Sequence, residues 1–128
     1  MPQSDPRIDE LLPLTPAVTH ILLALADKER HGYEIMKEVA AMTDQQIKMG
    51  PGTLYGTVKR LLAARLIVES DERPDPAMDD QRRRYYRLTA LGRRVLGAEA
   101  RRLVNLVSVA QGKRVLGTRT SVATGETH

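Results

Sequence analysis

The chain of 128 residues carries a formal net charge of +4, with 20 Lys and Arg against 16 Asp and Glu. Hydrophobic residues make up 41% and aromatic residues only 3%, with no Trp or Phe, which favours one domain of packed helices over a large sheet. The absence of Cys excludes disulfides, thiolate metal sites and a cysteine nucleophile. The longest apolar run, Ile21–Ala26, is too short to span a membrane, and the acidic, Pro-interrupted N-terminus is unlike a signal peptide, so we expect a cytoplasmic protein.

The basic residues are concentrated towards the C-terminal end. Residues 1–80 contain nine basic and fourteen acidic side chains, whereas residues 81–128 contain eleven basic and two acidic ones. A regional basic surface indicates an anionic partner, and nucleic acid is the commonest such partner of a small basic protein.

The first elements are predicted to be a short arm and two helices. Residues 1–13 are predicted to form a loose or partly helical arm. Thr15 suits an N-cap and Pro16 the first turn of a helix, whose core-facing stripe consists of Val18, Ile21, Leu22 and Leu25. A polar turn at Asp27–Arg30 leads to a second helix over Gly32–Met42, whose apolar side consists of Ile35, Val39 and Met42.

The stretch Gly50–Val68 predicts a helix with two contrasting faces. Pro51 suits its first turn, and its apolar residues recur at helical spacing, namely Leu54, Val58, Leu61 and Leu62. The opposite face is small, polar and cationic, with Gly52, Thr53, Gly56, Lys59, Arg60 and Ala63. No acidic residue occurs from Gln45 to Val68, where Lys48 adds a positive charge. Such a helix suits insertion into the major groove of DNA, and the alternative is an ordinary solvated helix surface.

Two β-prone segments follow this helix, at Arg65–Glu69 and Arg82–Leu88. The loop between them, Ser70–Gln81, contains two prolines and five acidic residues. In the second strand Tyr86 and Leu88 share one face, and Tyr85 and Arg87 share the other. Two strands joined by a loop after a third helix form a wing, and we expect its return strand to follow the phosphate backbone through Arg82, Arg83 and Arg84.

The last predicted helix runs from Ala90 to Gln111, with Thr89 as its N-cap. Its apolar residues follow a heptad spacing, with one further residue alongside, and comprise Leu96, Ala100, Leu103, Leu106, Val107 and Ala110. Because so long a helix extends beyond a small domain, we predict that it forms a dimer interface. Packing against the first helix of the same chain is the alternative. Residues 112–128 are predicted to form a disordered basic tail.

Sites for catalysis or metal binding are not indicated by the sequence. The three His residues lack ligand spacing, the acidic loop is typical of solvated charge, and neither a phosphate-binding glycine loop nor a nucleophile elbow is present. We therefore expect no enzyme activity, no metal and no cofactor.

Three short motifs occur in a distinctive order. Residues 31–35 read HGYEI, residues 51–55 read PGTLY, and residues 85–89 read YYRLT with Gly92 three positions further on. In this order and spacing they resemble the PadR family of bacterial winged-helix transcriptional regulators, over roughly residues 14–110. With one C-terminal helix, the chain is similar in length to members of the shorter subfamily.

The elements and the resemblance predict the same architecture. It is mainly α with some β structure: a winged helix-turn-helix domain at 14–89 with a two-stranded wing, and a dimerisation helix at 90–111. The resemblance further implies a homodimeric repressor of pseudo-palindromic operators, with a small hydrophobic, often aromatic, effector as a candidate partner. Gly56 stands where many relatives have Pro, and the last helix lacks the aromatic residues that effector-binding members often use.

We therefore predict a sequence-specific regulator that binds double-stranded DNA as a homodimer. The resemblance implies that Thr53, Tyr55 and Lys59 face DNA and that Arg83 and Arg84 belong to the wing. The full set of predicted DNA-binding residues is Lys48, Gly52, Thr53, Tyr55, Gly56, Lys59, Arg60, Arg82, Arg83 and Arg84. The alternative is a winged-helix module that recruits another protein without sequence-specific DNA binding.

Overall fold

The computed structural model describes residues 5–74 and 82–116, and its side chains are described except at 71–74, 82 and 83. In chain order the elements are α1 Pro6–Asp9, α2 Pro16–Ala24, β1 Arg30–His31, α3 Gly32–Met42, α4 Pro51–Ala63, β2 Ile67–Pro74, β3 Arg82–Leu88 and α5 Ala90–Gly112. Within these ranges no helix is long and apolar enough to cross a bilayer. Most of the predicted acidic wing tip and of the predicted tail lies outside the described residues.

Side chains cap four of the described helices, including α1, where the Asp5 carboxylate accepts a hydrogen bond from the Arg7 N–H at 3.0 Å. The hydroxyl oxygen of Thr15 accepts a hydrogen bond from the Val18 N–H at 3.2 Å, and that of Thr89 accepts one from the Gly92 N–H at 2.9 Å. Both caps were predicted from the sequence and are confirmed. At the start of α3, His31 Nδ1 accepts from the Glu34 N–H while the Glu34 carboxylate accepts from the His31 N–H, which completes a capping box.

The core lies where α2, α3, α4 and α5 meet. Its largest fully buried side chains include Ile21, Leu22, Ile35 and Leu54, so the predicted apolar faces of the first three long helices point inward. Met42 differs from the prediction because it is 38% exposed in the last turn of α3. The predicted N-terminal arm contains α1, which packs on α5 and places Ile8 in the core.

The sheet has three strands in the order β1-β3-β2, all antiparallel, rather than the two that were predicted. Arg30, predicted to lie in a turn, forms β1 with His31 and pairs with Tyr86. Its guanidinium also donates to the Ala24 carbonyl oxygen at 2.7 Å. Strand β1 is not predictable from the sequence, because two residues carry no detectable periodicity.

The first wing strand also differs from its predicted limits. It begins at Ile67 rather than at Arg65, because Arg65 adopts a φ of 64° where the chain leaves α4. It continues to Pro74, well into the predicted loop, with an irregular register between Glu69 and Glu72. This acidic segment is a strand because β3 pairs with it on both sides of the irregularity, from Ile67 to Glu69 and from Glu72 to Pro74. On β3, Tyr86 and Leu88 are buried and Arg87 is exposed, as predicted.

Helix α5 belongs to the core in its first half only. Val95 and Leu96 are buried there, at 0% and 7% exposure. Nearby, the buried Glu99 carboxylate accepts hydrogen bonds from Arg102 at 3.0 and 2.8 Å and from the Leu14 N–H at 3.2 Å. These bonds attach α5 to the segment that precedes α2. Beyond residue 102 the helix is mostly exposed.

Candidate nucleic-acid interface

The two faces of α4 are separated as the sequence predicts. Its inner face buries Leu54, Thr57, Val58 and Leu61. Its outer face exposes Gly52, Thr53, Lys59 and Arg60, and Tyr55 is 48% exposed. Lys48, also exposed, lies in the loop that leads into the helix. The described part of the chain therefore leaves a positively charged helix face uncovered.

Two glycines on this face have open space where a side chain would be. A Cβ atom added at Gly52 would meet nothing within 4 Å, and one added at Gly56 would reach only the flexible end of Arg60 at 4.0 Å. Glycine in a helix interior costs up to about 1 kcal/mol relative to alanine. Among the described residues, no packing contact requires a glycine at either position, so the fold does not explain this destabilisation. The flat surface is therefore suited to close approach by another molecule.

Tyr55 is fixed by a contact that the sequence analysis missed. A Cβ atom at Gly32 would overlap the phenol oxygen of Tyr55, so the glycine of the HGYEI motif makes room for the tyrosine of the PGTLY motif. Burial raises the pKa of the neighbouring Tyr86 phenol, and the charge of Glu69 and then Tyr55 add to the effect. Tyr55 thus joins α4 to the start of α3, besides presenting an exposed edge.

A second exposed aromatic residue lies on α3. Tyr33 is 52% exposed, and the Lys37 ammonium lies 5.4 Å from the centre of its ring. The sequence analysis did not select this pair, although its spacing of four residues is the same as that of Tyr55 and Lys59. In helix-turn-helix proteins the helix before the recognition helix crosses the phosphate backbone.

The predicted wing arginines divide into two groups. Arg82 and Arg83 lie on β3, but their side chains are outside the described residues. Arg84 is 59% exposed and donates a hydrogen bond of 3.0 Å to the Glu69 carboxylate on β2. On α4, the Arg60 guanidinium donates to the Thr57 hydroxyl at 3.2 Å. Two of the predicted phosphate-binding arginines therefore have partners within the chain.

The predicted dimer-interface residues are not equally accessible. Leu96 lies in the chain's own core, so it has little surface left for a second chain. Leu103 and Leu106 are 38% and 56% exposed, and Ala100 is exposed as well. Val107 and Ala110 are half-buried. Among the described residues, no group of three or more His, Asp or Glu is placed to hold a metal ion.

Comparisons with known proteins match this architecture. Residues 21–98 match the transcriptional regulator PadR-like family. A transcriptional regulator of Mycobacterium tuberculosis is 38% identical over 93 residues, which cover 73% of this chain and 80% of that protein.

Solved structures share the fold at lower identity. A PadR family transcription regulator from Clostridium difficile superimposes with a TM-score of 0.63 at 24% identity, covering 77% of this chain and 97% of that one. Bacillus subtilis PadR in complex with operator DNA gives a TM-score of 0.59 at 21% identity, covering 67% of this chain and 47% of that one. The family is one of transcription regulators rather than enzymes, which confirms the expectation of no enzyme activity. The chain belongs to the PadR-like family of transcriptional regulators.

Proposed function

We propose that this regulator is a homodimeric repressor that binds a pseudo-palindromic operator in the cytoplasm. One observation carries the proposal: the outer face of α4 is cationic and uncovered, and its glycines leave space that the described residues do not fill. Two such helices about 34 Å apart would enter successive major grooves. The B. subtilis structure with operator DNA supports the choice of ligand.

The proposal assigns two kinds of contact. Thr53 and Lys59 read base edges with side chains exposed on the outer side of α4, and Gly56 contributes to base readout by letting the helix approach the bases closely. Phosphate contacts come from the remaining polar and basic residues, which are Lys48, Tyr55, Arg60, Arg82, Arg83 and Arg84. Phosphate contacts fix the position of the protein, and base contacts supply the sequence preference.

An effector that releases the repressor is a further part of the proposal. A cleft of about 610 Å³ lies between α1 and α5, and its lining combines apolar, acidic and basic side chains, including Ile8, Leu12, Ala98, Asp5, Asp9, Arg94 and Arg101. A small hydrophobic molecule bearing an acidic group would pack on the apolar residues and displace Asp5 from Arg94, with which Asp5 pairs at 3.2 Å. Titration of aromatic carboxylates, read by release of bound operator, tests this part.

Substitution of Gly56 by alanine tests whether the open face meets DNA. The added methyl group has room in the free protein, so we expect the free energy of unfolding to rise by up to about 1 kcal/mol. The same methyl group would stand between α4 and the groove, so the affinity for a selected operator should fall at least about ten-fold, which corresponds to roughly 1.4 kcal/mol. Gly97→Ala, in the first half of α5, is the matched control, because its Cβ meets only the Arg101 side chain at 3.6 Å.

The operator for this test comes from selection of bound duplexes out of random DNA. If Gly56→Ala and Gly97→Ala stabilise the protein and neither affects binding, the face of α4 does not meet DNA. If no sequence is enriched and a protein partner is retained instead, the winged helix is a protein-interaction module and the proposed function is overturned.

A further inference from the structure

The Arg60 side chain lies back along α4 instead of extending away from the helix. Its guanidinium donates a hydrogen bond of 3.2 Å to the hydroxyl oxygen of Thr57, three residues earlier. The same guanidinium lies 4.0 Å from the position that a Cβ atom of Gly56 would take. Long side chains on a helix point towards its N-terminus. The charged end of Arg60 is therefore placed over the second turn of α4.

Thr57 provides a fixed acceptor for this guanidinium. Its side chain is 1% exposed and packs on the inner face of the helix. A branched side chain has few rotamers in a helix, and close packing restricts them further. Within the described part of the chain, Arg60 is the side chain that hydrogen-bonds to the Thr57 hydroxyl. Thr57 therefore orients an arginine that would otherwise sample many rotamers.

The guanidinium lies among the residues to which we assign base readout. Thr53, Gly56 and Arg60 form one stripe of the outer face, at spacings of three and four residues. In helix-turn-helix proteins the N-terminal part of the recognition helix contacts base edges, and the direction of the Arg60 side chain brings its charged end towards that part. Thr57 uses one N–H of the guanidinium, and hydrogen bonds to the described residues leave the other donors available.

We propose that Arg60 reads a guanine in the major groove and that Thr57 sets its orientation. A guanidinium donates two parallel hydrogen bonds to the O6 and N7 acceptors of guanine, which makes this a common sequence-specific contact. A side chain that is already oriented loses less conformational freedom on binding. The inference rests on the proposed function, which groups Arg60 with the phosphate contacts by its charge, and it changes the role of this residue to base readout.

Arg60→Ala tests base readout on the operator selected by the native chain. Each G·C pair of one half-site is replaced in turn by A·T, and the affinity of each duplex is measured. At one pair the replacement should weaken native binding between about five-fold and 150-fold, the range for a bidentate base contact. The same replacement should weaken binding by Arg60→Ala less than about two-fold. Lys48→Ala, which removes a proposed phosphate contact, is the control and should retain the native discrimination.

Thr57→Val tests the positioning role. Valine keeps the shape of threonine and removes the acceptor, whereas Thr57→Ser keeps the hydroxyl group. Discrimination at the pair read by Arg60 should fall about five-fold in Thr57→Val, as expected for loss of one hydrogen bond, and should stay near the native value in Thr57→Ser. Discrimination at the other pairs should not change, which a purely structural role of Thr57 does not predict. Native discrimination by Thr57→Val would overturn the positioning role.

The outcomes distinguish this inference from the proposed function. If the native chain enriches no duplex, the proposed function fails and the inference fails with it. If an operator is enriched and Arg60→Ala weakens every duplex alike, as Lys48→Ala does, Arg60 contacts phosphate and only its base-reading role is wrong. Thermal melts establish that each variant is folded. Because Arg60 is exposed, Arg60→Ala decides the base contact whatever the stability of Thr57→Val.

Discussion

Glycine residues in this protein have two opposite physical roles. At Gly32 and Gly92 an added Cβ atom would overlap Tyr55 and the Leu66 carbonyl group, so close internal packing requires the absence of a side chain. At Gly52 and Gly56 the corresponding space is open. The first pair is explained by the fold of one chain, and for the second pair we propose a molecule that approaches from outside.

The two glycines in the first half of α5 give a matched test of internal packing. Gly92→Ala places a methyl group against the backbone of Leu66, which cannot move without disturbing the turn after α4. We expect a loss of about 2–4 kcal/mol in the free energy of unfolding, in the range known for overpacked sites and the most damaging substitutions. Gly97→Ala should instead be neutral or stabilising by up to about 1 kcal/mol. Denaturant unfolding of both variants measures the difference, and equal effects would contradict the packing argument.

We expect Glu99 to make the free energy of unfolding decrease as the solution becomes acidic. Hydrogen bonds from Arg102 hold its pKa below the ordinary value of 4.5, against the effect of burial and with help from the Leu14 N–H. A carboxyl group whose pKa is lower in the folded state than in the unfolded state stabilises the fold. This stabilisation is fully present when the pH is above the unfolded-state pKa, and it is lost as the pH falls through the folded-state pKa.

Glu99→Gln should therefore destabilise the protein by about 1–3 kcal/mol near neutral pH, because hydrogen bonds to a buried charged group are weakened. The difference from the native chain should shrink as the pH is lowered below 4.5. Thermal unfolding across this pH range measures it, with the exposed Glu10→Gln as control. A difference that stays constant with pH would show that the Glu99 charge is not the cause.

At the scale of elements, the second half of α5 carries apolar side chains that the other described residues leave exposed. Leu103, Leu106 and Val109 are 38%, 56% and 54% exposed, and they continue along the helix beyond the buried Val95 and Leu96. A group of exposed apolar side chains on one segment favours contact with another molecule. A second copy of the same helix is the partner that we propose.

Leu103→Asp tests this partner. A charge in the contact should break the dimer, because an unpaired carboxylate is costly to bury, while the winged helix remains folded. Ser108→Asp adds the same charge roughly 140° around the helix, since successive residues are about 100° apart, and it should leave the dimer intact. Analytical ultracentrifugation and circular dichroism measure assembly and folding. A native chain that sediments as a monomer would rule out the proposed interface.

At the scale of the whole molecule, the proposed homodimer requires that two recognition helices bind together. If a dimer makes about eight phosphate contacts, the slope of log K against log salt should be roughly −7. Insertion of about five base pairs between the half-sites turns one of them to the opposite side of the duplex, since a full turn takes about 10 base pairs. Binding to the altered operator should fall to the level of a single half-site. Unchanged affinity would indicate that each chain binds independently.

The sequence by itself determined the long helices, because their signals are local. Thr15, Thr89 and the apolar spacing of α2 and α4 act within a few residues, and each prediction from them is confirmed. The motifs also identified the family, which the comparisons confirm. The exposed face of α4 followed from the same periodicity, since burial of one side of a helix leaves the other side outside.

Only the tertiary structure decided the features that depend on residues far apart in the chain. Strand β1 exists because β3 lies beside it, and Leu96 is internal because α2 packs on α5. The contact of Gly32 with Tyr55, the hydrogen bond from the Leu14 N–H to Glu99 and the pairing of Arg84 with Glu69 are likewise non-local. Local spacing predicts which side of a helix or strand a residue occupies. The partner that such a residue contacts is fixed only when packing brings distant segments of the chain within a few ångströms of one another.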